Sequence, residues 1–149
     1  MRLDADEARR RFGGERRVVL GTAGADGVPH LVPVTFAARG DFVMTAVDDK
    51  PKRTTALRRL RNIAANPAVC LLADVYDKDW SRLWWARADG TARVLERDAI
   101  PDGLLDLVDA LERRYPHYAQ HPPTGPFIVV EVTAWSGWSF SGAEVRRPG

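Results

Sequence analysis

The chain has one cysteine, Cys70, in 149 residues, so no disulfide can form within it. Cys70 lies in the apolar run Val69 to Ala73 and reads as a small core residue. No apolar run approaches the roughly 20 residues that cross a bilayer. Met1 to Phe12 alternates acids and arginines and lacks the apolar centre of a secretory leader, so a cytoplasmic protein is expected. Charge of one sign is also scarce: 22 basic against 20 acidic residues leave a net charge of +2. A diffuse nucleic-acid binder is more lopsided, so neither a nucleic-acid nor a membrane partner is expected. There are three histidines. Prolines flank His117 and His121, with no further ligand nearby, so no metal site is expected. Gly21, Gly24 and Gly27 fall in a hairpin rather than before a helix, which excludes a dinucleotide fingerprint. Gly137-Trp138-Ser139-Phe140-Ser141 is half of a nucleophile elbow, with serine where the second glycine belongs. His30 reads as structural, and no acid–base or nucleophile set is evident.

What is present fits one globular domain, residues 1–149, with its core at about 15–134. Apolar residues at 45% and charged residues at 28% are ordinary for such a domain. Asp4, with Glu7 three residues on, caps a helix that ends at Gly13-Gly14. Arg17–Thr22, His30–Ala38 and Phe42–Val47 are expected as three strands of a meander, divided by Gly24-Ala25-Asp26-Gly27 and Arg39-Gly40-Asp41. A helix is expected from Thr54 to Ala65, with Leu57, Leu60 and Ala64 inward, and Asn66-Pro67 ends it. Val69–Tyr76 and Leu83–Glu96 are strands, the second bent at Ala88-Asp89-Gly90. Pro101–Tyr115 is an amphipathic helix carrying Leu104, Leu107, Val108 and Leu111. Pro116–Pro126 reads as a loop, Phe127–Ala134 as the closing strand, and Trp138-Ser139-Phe140 as its extension. About six antiparallel strands with flanking helices predict an α+β fold, a small barrel closed to avoid bare edges.

Two segments carry the chemistry. Asp48 to Asn62 holds six basic residues (Lys50, Lys52, Arg53, Arg58, Arg59, Arg61) and the hydroxyls of Thr54 and Thr55 in a turn and one helix. Thr55, Arg59 and Asn62 form one helical row; Thr54, Arg58 and Arg61 form the next. A positive cluster at a helix start suits a phosphate or carboxylate. Charge alone leaves this segment balanced between an anion site and a solvated basic face. The second segment, Tyr76 to Arg87, holds Trp80, Trp84 and Trp85. Adjacent strand residues point to opposite faces, so Trp84 and Trp85 cannot fill the same core. One of them faces a ligand, an interface or solvent. With an anion grip, aromatic walls and no reactive set, the chemistry is expected to belong to a cofactor.

Pro33-Val34-Thr35-Phe36, then Phe42 to Val47, a lysine-bearing turn, a basic helix and Asn62 to Val69 resemble the flavin/deazaflavin split-barrel oxidoreductases, relatives of pyridoxamine 5′-phosphate oxidase. The Asp48-x-Lys50-Pro51-Lys52 turn and the Asp79-Trp80-x-x-Leu83-Trp84-Trp85 run are most similar to the actinobacterial F420-dependent branch. The resemblance covers Glu15 to Ala134. It implies a homodimer with cofactor sites between the barrels. Thr45, Ala46, Lys50, Lys52 and Arg59 would hold the cofactor's phosphate and ribityl end, and Asn62 would brace the helix start. Pro33, Val34 and Thr35 would lie beside the tricyclic ring, and Trp80, Trp84 or Trp85 would cover it from the partner. Arg58 and Arg61 suit a polyglutamate tail, and the high Arg and Ala content suits a GC-rich genome; both favour coenzyme F420 over FMN. The expected function is hydride transfer from reduced F420 to a small planar conjugated acceptor of the enone, quinone or tetrapyrrole type. An FMN-dependent oxidase and a non-catalytic flavin, F420 or haem carrier are the alternatives.

Overall fold

The computed structural model describes residues 1–47 and 54–141, the last including no side chain before Arg58 in its helix. The first helix, α1 (Ala5–Gly13), forms where the sequence places it: the Glu7 N–H donates to the Asp4 side chain, and the Gly14 N–H closes the far end on the Arg11 and Phe12 carbonyls. Its inward face carries Ala8, Arg11 and Phe12 at helical spacing. Phe12 is fully buried, edge-on to Phe36 and Trp135 with ring centroids 5.2 Å away in each case.

The strands are β1 (Arg2–Leu3), β2 (Val18–Ala23), β3 (Pro29–Val34), β4 (Ala37–Arg39), β5 (Phe42–Ala46), β6 (Ala68–Val75), β7 (Trp84–Leu95) and β8 (Phe127–Ser139). They form one antiparallel sheet in the order β3-β2-β6-β7-β8-β5-β4, with β1 paired to β8. The split-barrel fold is as expected, with eight strands in place of about six. The expected strand His30–Ala38 is instead two strands, β3 and β4, at opposite edges of this order, so the meander does not form. Only Thr35 and Phe36 join them, and three Cα steps span at most ~11 Å. The sheet therefore curls until its edges lie side by side. Among the described residues no ladder closes the gap; the barrel is open there.

Side chains bridge the gap instead. The Phe36 N–H donates to Tyr115 Oη (3.0 Å), and that hydroxyl lies 2.7 Å from the Arg16 carbonyl and 2.9 Å from that of Phe36. Arg114 donates to the Phe36 and Gly13 carbonyls (3.2 and 3.1 Å) and also to that of Glu15. Its guanidinium sits over the Phe36 ring at 4.5 Å. Anchoring Phe36 inward is what breaks the expected single strand.

The helix α3 (Leu105–Arg114) lays Leu107, Val108 and Leu111 on the outside of the sheet, over Met44, Phe127 and Val129. The alternate residues Val43, Ile128 and Val130 point into the barrel with Leu20 and Leu71. Strands β5 and β8 are thus covered on both faces, which explains the unbroken apolar run Phe127 to Val130. The bend in β7 is a register shift between Asp89 and Gly90. A Cβ at Gly90 would lie 2.3 Å from the Glu131 carbonyl oxygen, so only glycine fits there. The Pro116–Pro126 segment is not wholly loop: α4 (Pro116–Gln120) opens it with proline in the first turn. No helix among the described residues is long and apolar enough to cross a membrane.

Candidate functional site

The basic helix α2 spans Thr54–Ala65, as its sequence predicts. Of its expected inward residues, Leu60 packs against the barrel core as expected, Ala64 is exposed, and the Leu57 side chain lies outside the described residues. Asn62 and Ile63 are buried. The buried amide sets this rotation. Asn62 Nδ2 donates to Thr22 Oγ1 (3.0 Å), locking the third helical turn onto the tip of β2 rather than bracing the helix start. Its Oδ1 fills the space beside Gly24, where a Cβ would meet it at 2.6 Å.

Locking α2 this way holds Arg58 and Arg59, both half-buried, beside His30 on β3. Burial, then the charges of Arg58 and Arg59, hold the His30 imidazole below its ordinary pKa. His30 Nδ1 is buried with no hydrogen-bond partner among the described residues. Arg61 points to solvent. At the same end of the barrel, Thr45 is 2% exposed, and its Oγ1 likewise lacks a partner among the described residues. Thr45 pairs with Ile128 at the end of β5 that leads into the connection to α2. Two buried polar atoms of this kind, at the end of the barrel that carries two guanidiniums, are suited to donate hydrogen bonds to an anion. Sequence reasoning read His30 as structural. Its pairing opposite Thr22, the residue that Asn62 grips, is the signal that locates it.

Other expected site residues are distributed differently. Ala46 turns away from Thr45 and packs under α3, so the two cannot offer side chains to one ligand face. Pro33 and Val34 lie on the edge strand β3, Pro33 outward and Val34 inward. Thr35 Oγ1 is 3.1 Å from Tyr118 Oη of α4. Lys50 and Lys52 lie outside the described residues.

The tryptophans occupy the opposite end. Val75, the last residue of β6, pairs with Trp84, while Ala68, the first, adjoins the end of α2. Seven strand steps separate them, about 23 Å. Trp84 packs inward beneath Arg11, and Trp85 faces outward under Arg87, each ring 5.5 Å from its guanidinium. The opposite-face argument from sequence therefore holds. Trp85 pairs directly with Trp138. With Leu72, Tyr76, Leu83 and Trp84 they line an apolar recess of about 320 Å³. Trp80 is exposed in a 3-10 turn capped by Asp79 and rests edge-on against Phe140. Within one protomer, then, the tryptophans and the α2 cluster do not meet. Tyr115 has its hydroxyl committed to backbone, and Tyr76 is exposed.

In fold the chain is similar to an FAD-binding protein from Mycobacterium smegmatis, at 20% identity and TM-score 0.66, covering 94% of this chain and 99% of that one. It is similar to an FAD-binding protein from Mesorhizobium loti (19%, TM-score 0.66, 92% and 95%). A haem storage protein from Vibrio cholerae also shares the fold (17%, TM-score 0.64, 89% and 91%). At these identities the likeness carries the fold alone. No curated protein matches the chain. Residues 5–139 match the family model for pyridoxamine 5′-phosphate oxidase, which is nine-tenths of the sequence. The chain belongs to the pyridoxamine 5′-phosphate oxidase family.

Proposed function

We propose that the protein is a reductase that binds coenzyme F420 at the α2 end of the barrel and serves a planar conjugated acceptor. The observation that carries this reading is the buried Thr45 Oγ1, unmatched among the described residues, at the barrel end where α2 holds Arg58 and Arg59. A buried hydroxyl without a partner is costly unless a ligand completes it. Thr45, His30, Arg58 and Arg59, with Lys50 and Lys52 of the connecting segment, would hold the cofactor's phosphate. The solvent-facing Arg61 would meet carboxylates of a tail, which FMN lacks.

Bound there, the deazaflavin supplies a hydride; the chain's own part is to orient donor and acceptor and exclude water. Tyr115 supplies no proton, because its hydroxyl is committed to backbone. Solvent and the exposed Tyr76 are left as proton sources.

The distance between the α2 cluster and the tryptophans supports a homodimer in which a second copy brings its aromatic end to the cofactor. The outer sheet face suits such an interface: Leu31 is 69% exposed, and Pro33, Leu72 and Trp138 are exposed with it.

FMN is the second reading, since the same cluster would take its phosphate and relatives of this fold bind FAD. Titrating the purified protein with F420 and with FMN, each followed by its own absorbance, separates them. Saturable F420 binding at least about tenfold tighter than FMN, a gap of roughly 1.4 kcal/mol, is expected. Equal or tighter FMN binding transfers the proposal to a flavin enzyme, and binding of neither overturns it.

A further inference from the structure

A second cleft lies at the opposite end of β2 and β6 from α2, between α1, the turn Asp79–Arg82 and the end of β8. Its volume is about 710 Å³, and its walls include Arg10, Arg11, Arg82, Ser81, Ser141 and Trp84. Arg11 is the unusual member. Its side chain is only 6% exposed, stacked 5.5 Å from the centre of the Trp84 ring. Arg11 Nε donates to Glu7 Oε2 (2.7 Å), but Nη2 is buried with no partner among the described residues. A guanidinium N–H left unmet in a cleft is an open donor.

The charges around it favour an anion. Glu7 is shared by two guanidiniums: Arg10 donates to both its oxygens (3.0 and 2.6 Å), and Arg11 to one. One carboxylate therefore faces two cations. Arg82 stands 3.7 Å from Asp77 in a loose, exposed pair that a ligand can displace. Two further carboxylates line the cleft. Asp79 is already engaged, its Oδ1 accepting from the Ser81 N–H and Oγ (3.0 and 2.7 Å). Glu15 is the group that an incoming anion must tolerate; burial, and then Asp74, push its carboxyl above the usual range.

We propose that this cleft is a second ligand site, separate from the α2 end, for a small oxyanion, either a phosphate or a carboxylate. Arg11 Nη2 anchors it, Arg82 flanks it, and Trp84 forms its apolar wall, while the hydroxyls of Ser81 and Ser141 stay engaged with Asp79 and the Ser81 carbonyl. The fork geometry of arginine matches both oxyanions. A site of this size takes a ligand larger than a bare ion, so the recognised group is one end of a small metabolite.

Titration of the intact protein with sodium phosphate and with sodium benzoate, at constant ionic strength and followed in amide correlation spectra, tests the proposal. Saturable shifts are expected at residues 10–15, 79–84 and 139–141. Saturation by phosphate alone, by benzoate alone or by both assigns the oxyanion. Arg11→Met should weaken binding by about tenfold or more, and Arg82→Gln by about threefold. Arg113→Gln, an exposed cation on α3, should leave it unchanged. Shifts that rise linearly with both salts, or that are equal in all three variants, overturn the site. If Arg11→Met does not fold, unaltered binding in Arg82→Gln overturns it.

Discussion

Glu7 holds two guanidiniums at once, and its hydrogen bonds to Arg10 and then to Arg11 lower its pKa from 4.5 to about 2, against the opposing effect of burial. The sign follows. A carboxyl with a depressed folded pKa adds stability that is present above pH 4.5 and is lost as the pH falls toward 2. Glu7→Gln should flatten the loss of stability across that interval, measured by denaturant unfolding at a series of pH values. At neutral pH it should cost about 1–3 kcal/mol, because one of the two oxygens that accept from Arg10 and Arg11 becomes an amide NH2 and the carboxylate charge is lost. An unchanged acid limb would show that the pair does not drive it. His30 shifts for other reasons: burial, with Arg58 and Arg59 beside it, lowers its pKa. An anionic phosphate settling on those arginines should offset their field and raise the His30 pKa. The imidazole resonances titrated with and without bound cofactor would show this. An identical midpoint in both states would remove His30 from the site.

The elements were largely legible from local chemistry. Asp4 and Glu7 marked the start of α1, Asn66-Pro67 the end of α2, and Ala88-Asp89-Gly90 the bend in β7. The failures came where a distant side chain decided the outcome. Phe36 breaks the expected strand because Tyr115 and Arg114, almost eighty residues later, hold its backbone. The inward face of α2 is set by Asn62 reaching Thr22, a polar contact that an apolar-stripe reading does not weigh. Both devices are testable. Tyr115→Phe leaves the buried Phe36 N–H without its acceptor and should destabilise the protein by about 1–3 kcal/mol. Gly90→Ala must push against the Glu131 carbonyl and should cost about 1–3 kcal/mol. Unfolding midpoints within error of the wild type would contradict these two accounts.

For the whole molecule, the sequence did not show which end of the barrel each expected site residue occupies. That depends on strand order, which joins β2 to β6 and sends β3 and β4 to opposite edges. The consequence is the separation between the α2 cluster and the tryptophans, bridged in our proposal by a second copy of the chain. Leu31→Glu, on the outer face, should give monomers in sedimentation and a matching loss of cofactor affinity; a stable dimer in this variant would place the interface elsewhere. The central claim is that a ligand's phosphate completes the buried polar atoms at the α2 end. Thr45→Val tests it most directly, because it removes the unmatched hydroxyl and keeps the side chain's shape. Unfolding and F420 titration of this variant should show opposite effects: unchanged or higher stability, and affinity reduced by about tenfold. Wild-type affinity in a stably folded Thr45→Val protein would contradict the account.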